Sequence, residues 1–418
     1  MRIVLQTWGS DGDVRPLVAL AAGLKAAGHV PTLVVTSVDD KDYRPLCTTL
    51  GVDLRMVPER IGTDLPAIVR RMGNVKNPLR LLRGLFEAGY YPFVDAIYRT
   101  VQECCEDSDI AIGHFVAFPL RAAALQAGVP YVSVMLWPGM VPTATRPPLL
   151  MPSLGSPVNR GLWWVFRRLF HHGVGRGWNG FWTRWGLPPI RSVVDDVMRS
   201  DRLNLLAASP TLWPVAPDWD ERVRVSGFLA MPEHGESWQP PAQLRAFLDA
   251  GPPPVFLTLG SSQQIDPEPS ATLLVEAARR ARCRALIQMQ GTAVAADTVD
   301  GDLYFRGRAP HATLFPRCAA VVHHGGAGTT HAAVRAGVPS VTVAFVSEQR
   351  TWGRQLQRCG VALAPLSYRT ATPDTLAAYI VRTVADTGLH QRAVEVAARL
   401  RAEDGVAEAV RLIEQAGR

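Results

Sequence analysis

The sequence predicts an α/β protein built from two doubly wound, Rossmann-like domains that face each other across a cleft. Three observations lead there. Apolar, β-branched runs alternate with helix-forming runs along the chain. The opening strand, Arg2–Thr7, runs into Gly9-Ser10, and a second strand, Val255–Leu259, runs into Gly260-Ser261-Ser262, so the architecture starts twice. Between these starts, prolines crowd the stretch Ser209–Pro254, which marks a boundary. A length of 418 residues accommodates two or three ordinary domains. The expected division is 1–230, a linker at 231–240, a second domain at 241–395, and a C-terminal helix over 396–418 that packs back on the first domain.

In the first half, Gly9–Val14 reads as a glycine-rich turn, followed by a helix over Leu17–Ala27 with Pro16 just inside it and Gly28 as its C-cap. Val30–Thr36 completes a strand–helix–strand unit. Ligands bind such sheets beyond the carboxyl ends of the strands, which is where Ser10–Asp13 falls. Asp13 has two readings there, a helix-capping carboxylate or a general base. Further strands are expected at Leu54–Val57, Ile110–Gly113 and Tyr131–Met135, with helices over Asn77–Glu87, Phe93–Glu106 and Pro119–Ala127. His114 follows a strand at the same carboxyl end. Trp137–Pro157 is proline-rich and irregular. Gly161–Trp185 mixes Trp163, Trp164, Phe166, Phe170, Trp178, Phe181, Trp182 and Trp185 with arginines and histidines. Core or the wall of an apolar pocket is the first reading of this stretch; a membrane-surface face is the second.

In the second half, a helix over Glu268–Arg280 and strands at Arg284–Met289 and Asp302–Phe305 lead to Arg306–His311. The stretch that organises the chain is Val321–Thr330, VVHHGGAGTT. Two β-branched residues end a buried strand, three glycines make a turn, and an alanine-rich helix begins. That order aims free N–H groups and the positive end of a helix dipole at one spot, the geometry of a phosphate or diphosphate site; glycines serving packing alone is the other reading. The pattern is neither a P-loop nor a standard dinucleotide fingerprint. Strand Ser340–Ala344 then delivers Glu348 and Gln349 to the same end, a carboxylate and an amide suited to sugar hydroxyls. Helices over Thr375–Ala385 and Gln391–Ala416 finish the chain.

Composition narrows the function. Nearly half the residues are hydrophobic and 19% are charged, a globular balance. The net charge of +7 is carried almost wholly by arginine, with lysine only at Lys25, Lys41 and Lys76. It fits solubility or attraction to anionic substrates or lipid headgroups. No nucleic-acid-binding module is evident. Six scattered cysteines without a C-x-x-C pair argue against a zinc site or disulfide frame and for reduced thiols, hence a cytoplasmic protein. The chain opens directly on a strand, leaving no room for a signal peptide, and no stretch of about 18 apolar residues appears.

The chain resembles the family 1 glycosyltransferases of GT-B architecture, in the bacterial branch that acts on glycopeptides, macrolides and sterols and makes rhamnolipids. The resemblance rests on GSDGDVRPLVALAAGL (Gly9–Leu24), VSGF (Val225–Phe228), LTLGSS (Leu257–Ser262), RGRAPHATLF (Arg306–Phe315), VVHHGGAGTTHAAVRAGVP (Val321–Pro339) and EQRTWGRQLQRCG (Glu348–Gly360), in order along nearly the whole chain.

The resemblance implies that Asp13 is the catalytic base, taking the proton of the acceptor hydroxyl. It implies that His324, Gly326, Gly328 and Thr329 hold the donor diphosphate, with Ser10 and Ser261 reaching phosphate from the two Gly-Ser turns. Arg308 and Ala309 stand where the nucleotide base is held, and Glu348 and Gln349 where the donor sugar is held. His114, Trp137, Trp163 and Trp164 are the expected acceptor-binding residues, with His114 a weak candidate for assisting Asp13. Ala332 replaces the ribose-binding glutamate of plant members, and Glu348 is one methylene longer than the usual aspartate. The implied activity is inverting, metal-independent transfer of a sugar from a UDP- or TDP-sugar to a hydroxyl of a hydrophobic small molecule: a polyketide, polyphenol, sterol or lipid. No D-x-D triad stands at a strand end, no cofactor is expected, and peripheral membrane contact is an open reading. The alternative functions are a non-catalytic nucleotide-sugar-binding homologue, or auxiliary partner of another glycosyltransferase, and a nucleotide-sugar epimerase.

Overall fold

The computed structural model describes residues 1–61, 78–148, 151, 153–231, 238–289, 296–307 and 309–417. The chain divides into two compact units, Met1–Glu233 with Asp404–Arg418, and His234–Glu403. Each is an α/β unit around a mainly parallel sheet.

The first unit contains β1 (Arg2–Gly9), α1 (Asp11–Ala26), β2 (Val30–Ser37), α2 (Arg44–Thr49), β3 (Asp53–Met56), α3 (Pro78–Gly89), α4 (Val94–Glu106), β4 (Ile110–His114), α5 (Phe118–Ala127), β5 (Tyr131–Met135), α6 (Ser156–Arg184), β6 (Leu203–Leu206) and β7 (Val223–Val225). Its strand order is β3-β2-β1-β4-β5-β6-β7, every pair parallel. The order reverses at β1/β4, because the chain leaves β3 at one edge and returns beside β1.

Both faces of this sheet are covered, as a parallel sheet requires. Ile3 and Leu5 of β1 pack with Leu17, Leu20 and Leu24 of α1 on one face. On the other, the Gln6 amide donates to the Tyr90 hydroxyl at 3.1 Å and its carbonyl accepts from the Leu120 N–H at 2.9 Å. An aromatic core fills that side: Phe118 stacks on Trp178 at 4.6 Å and Trp8 on Tyr90 at 5.1 Å between ring centroids.

The second unit contains α7 (Ala242–Asp249), β8 (Val255–Thr258), α8 (Pro267–Ala281), β9 (Ala285–Gln288), β10 (Thr298–Asp300), β11 (Leu303–Arg306), α9 (His311–Leu314), β12 (Ala320–His323), α10 (Ala327–Ala336), β13 (Ser340–Ala344), α11 (Ser347–Arg358), β14 (Leu366–Ser367), α12 (Pro373–Ala385) and α13 (Thr387–Arg401). Its order is β10-β11-β9-β8-β12-β13-β14, parallel except for β10 against β11. Here the order reverses at β8/β12. Alternation is again two-sided: Val255, Leu257 and Val322 join one core, Phe256 and Val321 the other.

The last helix, α14 (Gly405–Ala416), belongs to the first unit. The division expected at 395/396 falls inside α13, and the chain instead crosses at Glu403–Asp404. Asp404 is the reason α13 and α14 are separate helices: its carboxylate accepts from the Ala407 N–H at 3.0 Å and caps a new helix. Gly405 is needed beside it, since a Cβ there would lie 2.3 Å from the Phe228 carbonyl oxygen. Val410 and Ile413 then join the α1 side of the first core. The sequence also places helix α1 too late. It starts at Asp11, so Pro16 lies in its interior, where the missing N–H leaves the exposed Gly12 carbonyl without a helical donor.

Candidate active site

Candidate groups gather at both points where strand order reverses, the places where open parallel sheets bind ligands. At β1/β4, Gly9 adopts φ +144°, and a Cβ on it would stand 2.2 Å from Asp13 Oδ2. Glycine therefore lets the Asp13 carboxylate fold back on the turn, where Oδ2 accepts from the Ser10 N–H at 3.0 Å. The capping geometry weighed from the sequence is thus present, with Asp13 at the third helical position rather than at the cap.

Burial pushes the Asp13 carboxyl up to about 6, against the hydrogen bonds from Ser10 and helped by the charge of Asp39. Two residues earlier, Asp11 moves the other way. Burial works to raise it, but the hydrogen bond and charge of Lys41 (2.5 Å) and the Tyr43 hydroxyl (2.9 Å) outweigh this and lower it. Neighbouring carboxylates driven apart in pKa are a mark of acid–base machinery. A carboxyl near 6 is ionised at neutral pH, yet is a stronger base than an ordinary aspartate.

His114 ends β4, beside β1. It is buried, no side chain bonds either ring nitrogen, and the Trp8 backbone is its one polar neighbour by hydrogen bonding among the described residues. Burial pushes its pKa down to about 3, so it stays neutral. No hydrogen bond joins it to Asp13, which is held by Ser10 instead.

The aromatic residues expected to line an acceptor pocket divide. Trp137 is buried and lies over Gly139. Trp163 is buried, its indole N–H donating to the Arg146 carbonyl at 2.9 Å, so it fastens α6 to the proline-rich segment. Trp164 is the correction: at 56% exposure, beside the Arg168 guanidinium at 4.9 Å, it is a surface residue. Trp178, Phe181 and Trp182 are core.

At β8/β12 the VVHHGGAGTT stretch forms strand, turn and helix. By helix geometry the N–H groups of Ala327, Gly328 and Thr329 have no intrahelical acceptor. The space beside Gly328 is open, with nothing within 4 Å of the position a Cβ would take. The His324 ring lies between two backbones: a Cβ on Gly260 would come within 2.6 Å of it, and one on Gly326 within 2.4 Å. Its Nδ1 has no partner, and burial, with repulsion from His311, pushes its pKa down to about 4. His323 accepts from the Gly325 N–H at 3.1 Å through Nδ1 and leaves Nε2 buried without a partner. Gln263 Nε2 and Thr330 Oγ1 are likewise buried and unpartnered. Unsatisfied polar atoms are uncommon in protein interiors, so each of these calls for an explanation.

Gln349 does not present a free amide. Its Oε1 accepts from the Phe345 N–H at 2.8 Å and its Nε2 donates to the Ser262 hydroxyl at 2.9 Å. It ties the turn after β13 to the turn after β8, on either side of the histidine turn. Ser261, the residue expected at the phosphate, is exposed, and its buried neighbour Ser262 takes the bond. Glu348 is half-buried at the start of α11. Ala309 packs on the Leu314/Phe315 core, and Arg308 lies outside the described residues. Sequence reasoning missed Ser262, Gln263 and His323. Only His323 carried a local signal, as the strand-end partner of His324. Among the described residues no group of three His, Cys, Asp or Glu side chains is placed to hold a metal ion.

The chain thus comprises two Rossmann-like units, one with a raised carboxyl and the other with a helix N-terminus and an orphaned imidazole at its switch point. Residues 288–415 match the family described as "Erythromycin biosynthesis protein CIII-like, C-terminal domain". Over 99% of its length the chain is 32% identical to the O-mycaminosyltylonolide 6-deoxyallosyltransferase of Streptomyces fradiae, covering 97% of that protein. It is 31% identical to the vancomycin aglycone glucosyltransferase of Amycolatopsis orientalis, with the same coverage. The solved structure of the glycosyltransferase of kitacinnamycin shares the fold, with a TM-score of 0.72, 21% identity, and coverage of 100% of this chain and 99% of that one. The chain belongs to the GT-B glycosyltransferase family that includes the macrolide, glycopeptide and sterol enzymes.

Proposed function

We propose that the protein transfers a sugar, with inversion, from a UDP- or TDP-sugar to a hydroxyl group of a hydrophobic small molecule of the polyketide, polyphenol, sterol or lipid kind. The observation that carries the reading is the buried, unpartnered His324 Nδ1 at the β12–α10 turn together with the free N–H groups at the start of α10. A diphosphate satisfies such a set, and the helix dipole favours its charge. His324 donates to it, neutral in the empty protein and easier to protonate once the anion is bound. As the bond from the anomeric carbon to the leaving diphosphate breaks, these donors hold the charge that develops. Asp13 takes the proton of the attacking hydroxyl, and that hydroxyl oxygen forms the new bond to carbon. His114, neutral and without a side-chain partner, offers a ring nitrogen to a polar group of the acceptor molecule. The 32% and 31% relatives, named for a tylonolide and for the vancomycin aglycone, support a large natural-product acceptor.

The test is transfer from UDP- and TDP-sugars to a panel of macrolide aglycones, polyphenols, sterols and hydroxylated lipids, with the anomeric configuration of the product read by NMR. Inversion with at least one of these acceptors is expected. Retention, transfer only to free polar sugars, or sugar conversion with no acceptor present would refute it.

A further inference from the structure

Helix α6 carries a feature that the transfer reaction does not use. Of the thirteen large apolar side chains that stand exposed among the described residues, five lie within 154–169: Leu154, Val158, Trp164, Val165 and Leu169. Val158, Val165 and Leu169 recur at helical spacing and form one solvent-facing stripe, with His172 and Arg176 continuing it. Trp164 and Arg168 flank the stripe, stacked on each other. Ser156–Arg184 has five arginines and no acidic residue. Arg167 is paired with Asp195 and Arg184 with Asp95, while Arg168 and Arg176 have no carboxylate partner among the described residues.

We infer that this face of α6 is a docking surface for an anionic lipid bilayer. An apolar stripe bordered by an aromatic ring and unpaired arginines is the pattern of a helix lying in the membrane interface, with its apolar side chains among the acyl chains and its guanidinium groups at the phosphates. The charge decides between occupants. A second copy meeting the same face about a two-fold axis would bring unpaired arginines against one another with no acid on the helix to offset them. An anionic bilayer gains from every one of those charges. No helix among the described residues is long and apolar enough to cross a membrane, so the contact is superficial.

Flotation of the full chain with vesicles tests this. Vesicles of phosphatidylcholine with about one-third phosphatidylglycerol should bind the protein, vesicles of phosphatidylcholine alone should bind it much less, and about 0.5 M salt should release it. The double variants V165D/L169D and R168E/R176E should each reduce partitioning at least about tenfold. The control V394D, at a still more exposed valine of α13, should leave it unchanged. Thermal unfolding of each variant verifies the fold. Absence of binding to the anionic vesicles, or full binding by both double variants, overturns the inference. So does a dimer, seen by light scattering, that V165D/L169D dissociates in a protein that ignores vesicles.

Discussion

Replacing Asp13 by asparagine should make the protein more stable and almost inactive. Burial raises the Asp13 carboxyl from 3.8 to about 6. At about 1.36 kcal/mol per pKa unit, keeping it ionised in the folded state costs up to about 3 kcal/mol. Asp13 is only half-buried, which brings the expected figure to about 1–3 kcal/mol. Because the folded pKa is the higher one, the contribution to stability is complete below about 3.8 and is lost as pH rises through about 6. Asparagine stays neutral, and its side-chain oxygen can still accept the Ser10 N–H. The stability gain of D13N should therefore be absent near pH 3.5, grow between about pH 4 and 6, and level off above 7. In the same variant turnover at saturating substrates should fall by roughly 100- to 10,000-fold. Wild-type kcat/KM should lose activity on the acid side with a midpoint near 6. Calorimetric unfolding at several pH values, beside a transfer assay, reads both effects. Near-wild-type turnover would remove Asp13 from the base role, and a variant less stable than wild type at pH 8 would refute the burial argument.

Two other substitutions probe the second unit. His324→Ala should weaken binding of UDP or TDP by about 1–3 kcal/mol, roughly five- to 150-fold in Kd, without unfolding the protein; unchanged calorimetric affinity for both would leave the glycine turn a packing device. Gln349→Ala removes the bonds to Phe345 and Ser262, so it should destabilise the second unit by about 1–2 kcal/mol and raise the KM for donor, with Ser262→Ala giving a milder form of both. Unaltered stability with lost discrimination between donor sugars would instead place the amide on the sugar itself.

The parts of the site set by short-range pattern were legible in the sequence. VVHHGGAGTT announced a strand, a turn and a helix start because β-branched residues, glycines and alanines each permit only part of that path. Asp13 was legible as a position, though not as a raised carboxyl, since its pKa depends on how its side chain folds onto Gly9. What escaped depends on partners far along the chain. Ser261 and Ser262 are indistinguishable until Gln349, 87 residues away, selects one of them. Apolar composition cannot separate core from pocket wall, so Trp178 and Trp164, both in one aromatic run, came out as the centre of a core and as an open surface. Glycines stand at 173, 175, 177 and 180, yet α6 runs through them as a single 29-residue helix. At Gly177, a Cβ would strike the Tyr91 ring, so part of that glycine content is spent on close approach.

The return of α14 to the first unit determines when that unit can fold. Its core includes Ala409, Val410, Leu412 and Ile413, the Arg202 guanidinium donates to the Ala416 carbonyl at 3.0 Å, and a Cβ on Gly417 would touch the Met1 sulfur. Met1 and Gly417 therefore meet in one packed layer. In topological terms the second unit is an insertion within the first, and the first remains an open core until α14 has been synthesised. A fragment ending near residue 230 lacks α14 and exposes the flank of α1 at Gly23, where Val406 and Val410 pack. The unit whose strands are made first is thus closed only after the second unit has been made.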